Sequence, residues 1–375
     1  MTSAGWNLLI YAIAANDDEH RRILSHLDAM RAALATEQCN LVVQISAASG
    51  TQRHWISWTP AGVLDRVEDI ATGDRPIQAL MTGLLDAGNA HAPDAATAFV
   101  LWAHGSGLGH MRRPRLPDHR PPEPVDDLFL THVIVEQAIR DSHKHAVELL
   151  ALNACWMATL EVAFGMRSVA EVQVGSQVYA QAWPYGAIVA AISKTVPASA
   201  EQLARVIVSA VQAEIDHGQR HDAVSAVRSA ALAEVVTELD GYAARVTTLI
   251  DTRWSDVRAA VASDAQRLDD PYQVDFASLI GVLGKADKQA QKAAGSVTSR
   301  LRKAMIASAA HASHPGIHGL SILCPRSTHV DLDDVYDQTG FAKHGWATFL
   351  RAFQHKAVRE RADAAGGAPR ASTSA

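Results

Sequence analysis

Residues 6–14 read WNLLIYAIA, apolar at every position except Asn7, and similar runs return as NLVVQIS at 40–46, TAFVLWAHG at 97–105 and AVELLALNAC at 146–155. A strand with one wet face alternates apolar and polar side chains. A run that is apolar at both parities must be covered on both faces, which is the signature of a parallel sheet sandwiched between helices. This pattern constrains the fold more than any other feature of the chain.

The intervening segments supply the covering. Ile23, Leu24, Leu27, Met30 and Leu34 recur at helical spacing after the turn formed by Asn16-Asp17-Asp18, and Asp17 or Asp18 is expected to cap that helix. Further helices are expected near 76–85, 130–142 and 157–166, a hairpin strand at 53–60 (RHWISWTP) and a strand at 171–178 (EVQVGSQV). Strand and helix signals alternate, so the fold class is α/β, with a mostly parallel central sheet and helices on both faces. Beyond residue 198 the character changes. Leu203, Val206, Ile207 and Val211, then Val224, Val227, Leu232, Val235, Val236 and Leu239, read as long helices. The expected organisation is a core over 1–198, a helical region over 199–313, a returning strand and terminal helix over 314–355, and a disordered tail over 356–375.

A chain of 375 residues, 48% hydrophobic and 20% charged, can bury a substantial core. The formal net charge of −6 does not point to nucleic acid. The opening MTSAGWNLLIYAIAANDDE has no basic leader and too short an apolar run to span a bilayer, so no membrane partner is expected. Cys39, Cys155 and Cys324 are an odd set without close spacing, which favours a reducing compartment, and the cytoplasm is the expected location.

In an open α/β sheet, reactive groups gather where strands end at their carboxyl tips. Two strands end in chemically capable residues: LWAHGSG places His104 at a tip, and LNACW places Cys155 at another, where a helix is expected to start. If these strands are neighbours, the imidazole can take the thiol proton, and helix N–H groups can stabilise the thiolate. The amides of Gly105 and Cys155 would then hold the oxyanion of an attacked carbonyl, glycine at 105 leaving the backbone open to approach.

Other signals carry less. No G-x-S-x-G elbow is present, His217 and His221 lack the glutamate of a zinc helix, and GSGLG at 105–109 lacks the full dinucleotide-loop spacing. Neither a metal nor an organic cofactor is expected. His311, His314 and His318 read as surface loop residues, Cys39 and Cys324 as core filler, and Glu161 as a structural anchor.

The pieces WNLLIYAIAANDDE, WAHGSG, NACWMATLEVAF, VGSQVYAQAWPYGAI, GLSILCP and FAKHGWATFL, in that order, resemble the clostripain-like cysteine peptidases, relatives of caspases, gingipains and separase. The histidine also lies about 50 residues before the cysteine, as in caspases. The resemblance implies a caspase-type sheet, a His104–Cys155 dyad and hydrolysis of protein or peptide substrates, with activity under the control of a regulatory protein, ligand or cut. It suggests a role in regulated proteolysis, in bacterial defence or cell death. Relatives that cleave after arginine or lysine carry aspartate two residues before the cysteine. Asn153 stands there, so a P1 side chain that is not basic is expected. Ser176, Gln177, Trp183 and Tyr185 are candidate walls of the substrate groove. The Pro/Arg-rich segment 107–125 is either an exposed connection or a regulatory, self-cleaved segment. The competing reading is an inactive caspase-like scaffold that binds a partner through its helical region.

Overall fold

The computed structural model describes residues 5–73, 75–105, 129–130, 132–220, 222–264, 268, 272–324, 332, 336 and 340–366. The segment 107–125 lies outside the described residues, as does His221. The chain begins β1 (Trp6–Ile13), α1 (Asp17–Ala33), β2 (Cys39–Ala47), β3 (Gly50–Thr59), β4 (Gly62–Ile70), α2 (Ile77–His91), β5 (Ala96–Trp102). Next come β6 (His104–Gly105), β7 (Phe129–Leu130), α3 (His132–Asp141), β8 (Val147–Asn153), α4 (Leu160–Gly165), β9 (Ala170–Gly175), α5 (Tyr185–Lys194) and α6 (Ala200–Asp216). The remainder is β10 (Ala223–Arg228), α7 (Leu232–Thr252), α8 (Trp254–Ala259), β11 (Gln273–Asp275), α9 (Phe276–Gly284), α10 (Lys288–Ala304), β12 (Met305–Ala310), β13 (Ser321–Leu323) and a terminal helix, Gly345–Gly366.

Nine strands form one sheet in the order β12-β10-β9-β8-β5-β1-β2-β3-β4. The five central strands, β9 to β2, are mutually parallel, and an antiparallel pair extends each end. The apolar runs are explained by two cores. Leu8, Ile10, Val100, Leu149 and Ala151 face a layer built by α1, α5 and α6. Their alternate neighbours Leu9, Tyr11, Phe99, Leu101 and Leu150 face a second layer that includes α2, α3, α7, α9 and α10. On that side α7 packs against α10 and the terminal helix.

Several expectations change in detail. Asn16, not Asp17 or Asp18, caps α1, its side chain accepting the Glu19 N–H at 2.9 Å, while the acidic residues fill the first turn, where the helix dipole favours them. The region 199–313 is not purely helical: β10 and β12 join the main sheet. Val224 and Val227, read as helical, lie in β10, whose short alanine- and serine-rich sequence AVSAVR carries little strand signal. The returning strand is only Ser321–Leu323 and pairs with β11 outside the main sheet. The tail expected to be disordered from 356 continues as helix to Gly366, because AVRERADAA is rich in good helix formers.

Candidate active site

The parallel register of β5 and β8 pairs Leu101 with Leu152 and Trp102 with Asn153. His104 and Cys155 each lie two residues beyond that last pair, so the backbone brings both to one level at the carboxyl ends of neighbouring strands. Gly105 sits directly against the Cys155 backbone. A Cβ there would stand 2.3 Å from the Cys155 carbonyl oxygen and 2.8 Å from its nitrogen. Glycine is required for this close approach, and it lets the Gly105 N–H reach the Cys155 sulfur.

The expectation that Cys155 begins a helix is not met. Four residues separate it from α4, which starts at Leu160 and is capped by the Thr159 hydroxyl accepting the Val162 N–H at 3.1 Å. Cys155 sits in a tight turn, and Trp156 follows it with φ of 58°, a left-handed conformation unusual for a bulky residue. The turn is strapped to the next strand exit. Trp156 N–H donates to Val178 O at 3.1 Å, Ala158 N–H to Ser176 O at 2.8 Å, and the Trp156 ring packs on Tyr179 with centroids 4.6 Å apart. The ordered helix start that would have supplied a dipole is replaced by individual amides. Ala180 N–H donates to the sulfur at 3.3 Å, and the amides of Cys155 and Gly105 also face it. Burial pushes the Cys155 thiol above its ordinary value; the Ala180 amide opposes this, the Asp222 charge adds to it, and the two other amides oppose it.

His104 is half-exposed, and its Nε2 lies 3.2 Å from Glu19 Oε1. Glu19 was not singled out in the sequence, although Asn16-x-x-Glu19 is a legible capping box. The carboxylate reaches back past the cap, accepting the Ala15 N–H on Oε2 at 2.8 Å.

Asn153, Ser176, Gln177 and Trp183, expected to line the groove, are each no more than 2% exposed. They support the site from behind. Asn153 Oδ1 accepts the Trp183 N–H and the Tyr185 hydroxyl, both at 2.9 Å, and its Nδ2 donates to Gln181 O at 2.8 Å. The Ser176 hydroxyl donates to Val178 O at 3.0 Å. Gln177 Nε2 donates to Asp275 Oδ2 at 3.1 Å, and its Oε1 accepts the Gly319 N–H at 2.7 Å. Tyr185, also expected at the groove, is equally buried. Asn153, Ser176, Gln177 and Tyr185 fold inward because their polar side-chain atoms find partners inside the chain, whereas Trp183 is buried by apolar packing, its Nε1 making no hydrogen bond among the described residues.

Sequence reasoning missed Arg220 and Asp222, since charged residues are seldom this buried. Arg220 is 2% exposed and donates to both Asp222 oxygens, at 2.9 and 2.5 Å. It also holds the carbonyls of Ala182 at 2.5 Å and Gln181 at 3.0 Å, while Asp222 accepts the Gln181 N–H at 3.0 Å. Burial alone would lower the Arg220 value; the bonds to Asp222 and Glu214 outweigh it and hold the guanidinium above the ordinary range. The clamp fixes residues 181–182, next to the Ala180 amide on the sulfur.

Away from the site, Glu161 is an anchor as expected: its Oε1 accepts the Leu323 N–H at 3.0 Å and the Tyr336 hydroxyl at 3.1 Å. Cys39 and Cys324 are buried, and burial pushes the Cys39 thiol up to about 12. His318, read as a plain surface residue, bonds the fully buried Asp275 at 2.9 Å. Among the described residues no group of three His, Cys, Asp or Glu side chains is arranged for a metal, and no helix is long and apolar enough to cross a membrane.

The sequence model of the clostripain peptidase family matches residues 67–310, which include both strand tips. This chain belongs to the clostripain family. It is thus a cysteine peptidase, a hydrolase. Among solved structures it is similar to a secreted C11 cysteine protease from Bacteroides thetaiotaomicron bound to an irreversible peptide inhibitor. The TM-score is 0.65 at 16% identity, covering 92% of this chain and 99% of that one. A second structure of a secreted C11 protease from the same organism, iotapain, gives 0.67 at 12% identity, covering 94% and 100%. An inactive zymogen C11 protease from Parabacteroides distasonis gives 0.63 at 17% identity, covering 93% and 99%. At these identities the likeness establishes the fold. No curated protein matches the sequence.

Proposed function

We propose that the chain is an endopeptidase in which Cys155 is the nucleophile, His104 the general base and acid, and the amides of Gly105 and Cys155 the oxyanion donors. His104 takes the thiol proton as the sulfur bonds to the scissile carbonyl carbon. The same proton then passes to the leaving amine as the C–N bond breaks, and water hydrolyses the resulting thioester. The observation that supports this reading is the β5–β8 register, which levels the two strand tips, together with the Gly105 amide on the Cys155 sulfur.

The substrate side chain at P1 is neutral in this reading. The residue two before the nucleophile is Asn153, whose oxygen is already occupied by Trp183 and Tyr185. The nearby carboxylate, Asp222, is neutralised by the buried guanidinium of Arg220, which leaves it unsuited to receive a cationic side chain. An unpaired buried cation costs several kcal/mol. A fluorogenic peptide panel varied at P1 tests this. Turnover concentrated on uncharged P1 residues is expected, and efficient cleavage confined to Arg and Lys would overturn it. Three free thiols fit a reducing compartment, and the cytoplasm is the proposed setting for regulated proteolysis.

A further inference from the structure

We propose that Glu19 is a positioning residue that holds His104 in its working orientation, an inference that rests on the dyad reading above. The topology brings the two together. Strand β1 lies beside β5, with Ala12 paired to Trp102, so α1 starts over the same crevice that receives His104. The carboxylate is itself fixed, with Oε2 taking the Ala15 N–H at 2.8 Å and Oε1 the Asn16 Nδ2 at 3.3 Å. Its Oε1 faces His104 Nε2 at 3.2 Å, and its side chain is only 25% exposed. With Nε2 committed to Glu19, Nδ1 is the ring nitrogen that exchanges the proton with Cys155. When that proton arrives the ring becomes a cation, and the Nε2–H bond to the carboxylate becomes charge-assisted and stronger. Glu19 would thus favour the step in which charge develops, at a fixed ring angle.

The single oxygen of a glutamine at this position can keep the Ala15 N–H bond that Glu19 Oε2 makes at the start of α1. Glu19→Gln therefore keeps the helix start and removes the charge. In the full chain, with a peptide substrate, this variant should lose about 10- to 100-fold in kcat. Its KM should stay within about twofold, its thermal unfolding should match that of wild type, and Glu19→Asp should recover part of the rate. Retention of kcat within about twofold overturns the proposal, as does a loss of kcat that comes with a raised KM and a lowered unfolding temperature. His104→Ala separates the two levels of the argument. An inert His104→Ala beside a fully active Glu19→Gln removes only the role of Glu19. A fully active His104→Ala removes the dyad, and the proposal with it.

Discussion

The two halves of the site are built in opposite ways. The Cys155 half is strapped: its turn is bonded to Ser176 and Val178, its sulfur faces three amides, and the segment behind it is clamped by the buried Arg220 and Asp222. The His104 half is half-exposed, with its ring nitrogen against the Glu19 carboxylate. In the proposed mechanism, the straps on one side fix where the sulfur attacks and where the oxyanion forms. On the other, the imidazole of that mechanism carries a proton from sulfur to leaving group while its Nε2 faces the Glu19 carboxylate. The contrast predicts that substitutions behind the cysteine cost stability, whereas those behind the histidine cost rate.

The largest effect tests whether the halves work as a unit. Cys155→Ala should reduce peptide hydrolysis by about 10⁴-fold or more, with unfolding little changed. Residual turnover near wild type would place the nucleophile elsewhere. Next is Arg220→Ala, which leaves Asp222 buried without its partner and should destabilise the protein by about 3–5 kcal/mol in chemical denaturation. A loss below about 1 kcal/mol would mean the clamp carries no strain-bearing role and would break the contrast. Gly105→Ala comes third. Its Cβ must displace the Cys155 backbone, so kcat should fall by about 100-fold through loss of an oxyanion donor, as read by steady-state kinetics.

A fourth prediction concerns the anchor beyond the site and depends on pH. Burial raises Glu161 from its ordinary 4.5 to about 7, and its Oε2 has no hydrogen-bond partner among the described residues. The folded chain therefore holds this proton more tightly than the unfolded chain. The stability associated with it is complete below the unfolded value and is lost as pH rises through the folded one. Between about pH 5 and pH 8 wild type should lose about 2–3 kcal/mol relative to Glu161→Gln. Parallel stability profiles for the two proteins would contradict this assignment.

How far the sequence could be read follows from which signals are local. Runs such as LLIYAI and LLALN revealed the covered parallel strands, because burial on both faces leaves no polar parity to hide. The strand tips with His104 and Cys155 were legible for the same reason. The strands AVSAVR and MIASAA were not, since alanine and serine satisfy helix and strand alike. The start of α4 is not legible because MATLEVAF has helical spacing, while the hydrogen bonds that hold Trp156 and Ala158 out of the helix come from residues 176, 178 and 321. The Arg220–Asp222 clamp and the inward turn of Asn153 and Gln177 depend on partners that only the fold brings near.

The central claim is that one sulfur is activated by one imidazole, and covalent labelling tests it most directly. The intact protein is treated with a peptidyl acyloxymethyl ketone bearing an uncharged P1 residue, and the adduct is located by peptide mass mapping. The account predicts modification at Cys155 alone, abolished in Cys155→Ala and strongly slowed in His104→Ala. Labelling spread over Cys39 and Cys324, or a His104→Ala variant modified at the wild-type rate, would contradict it.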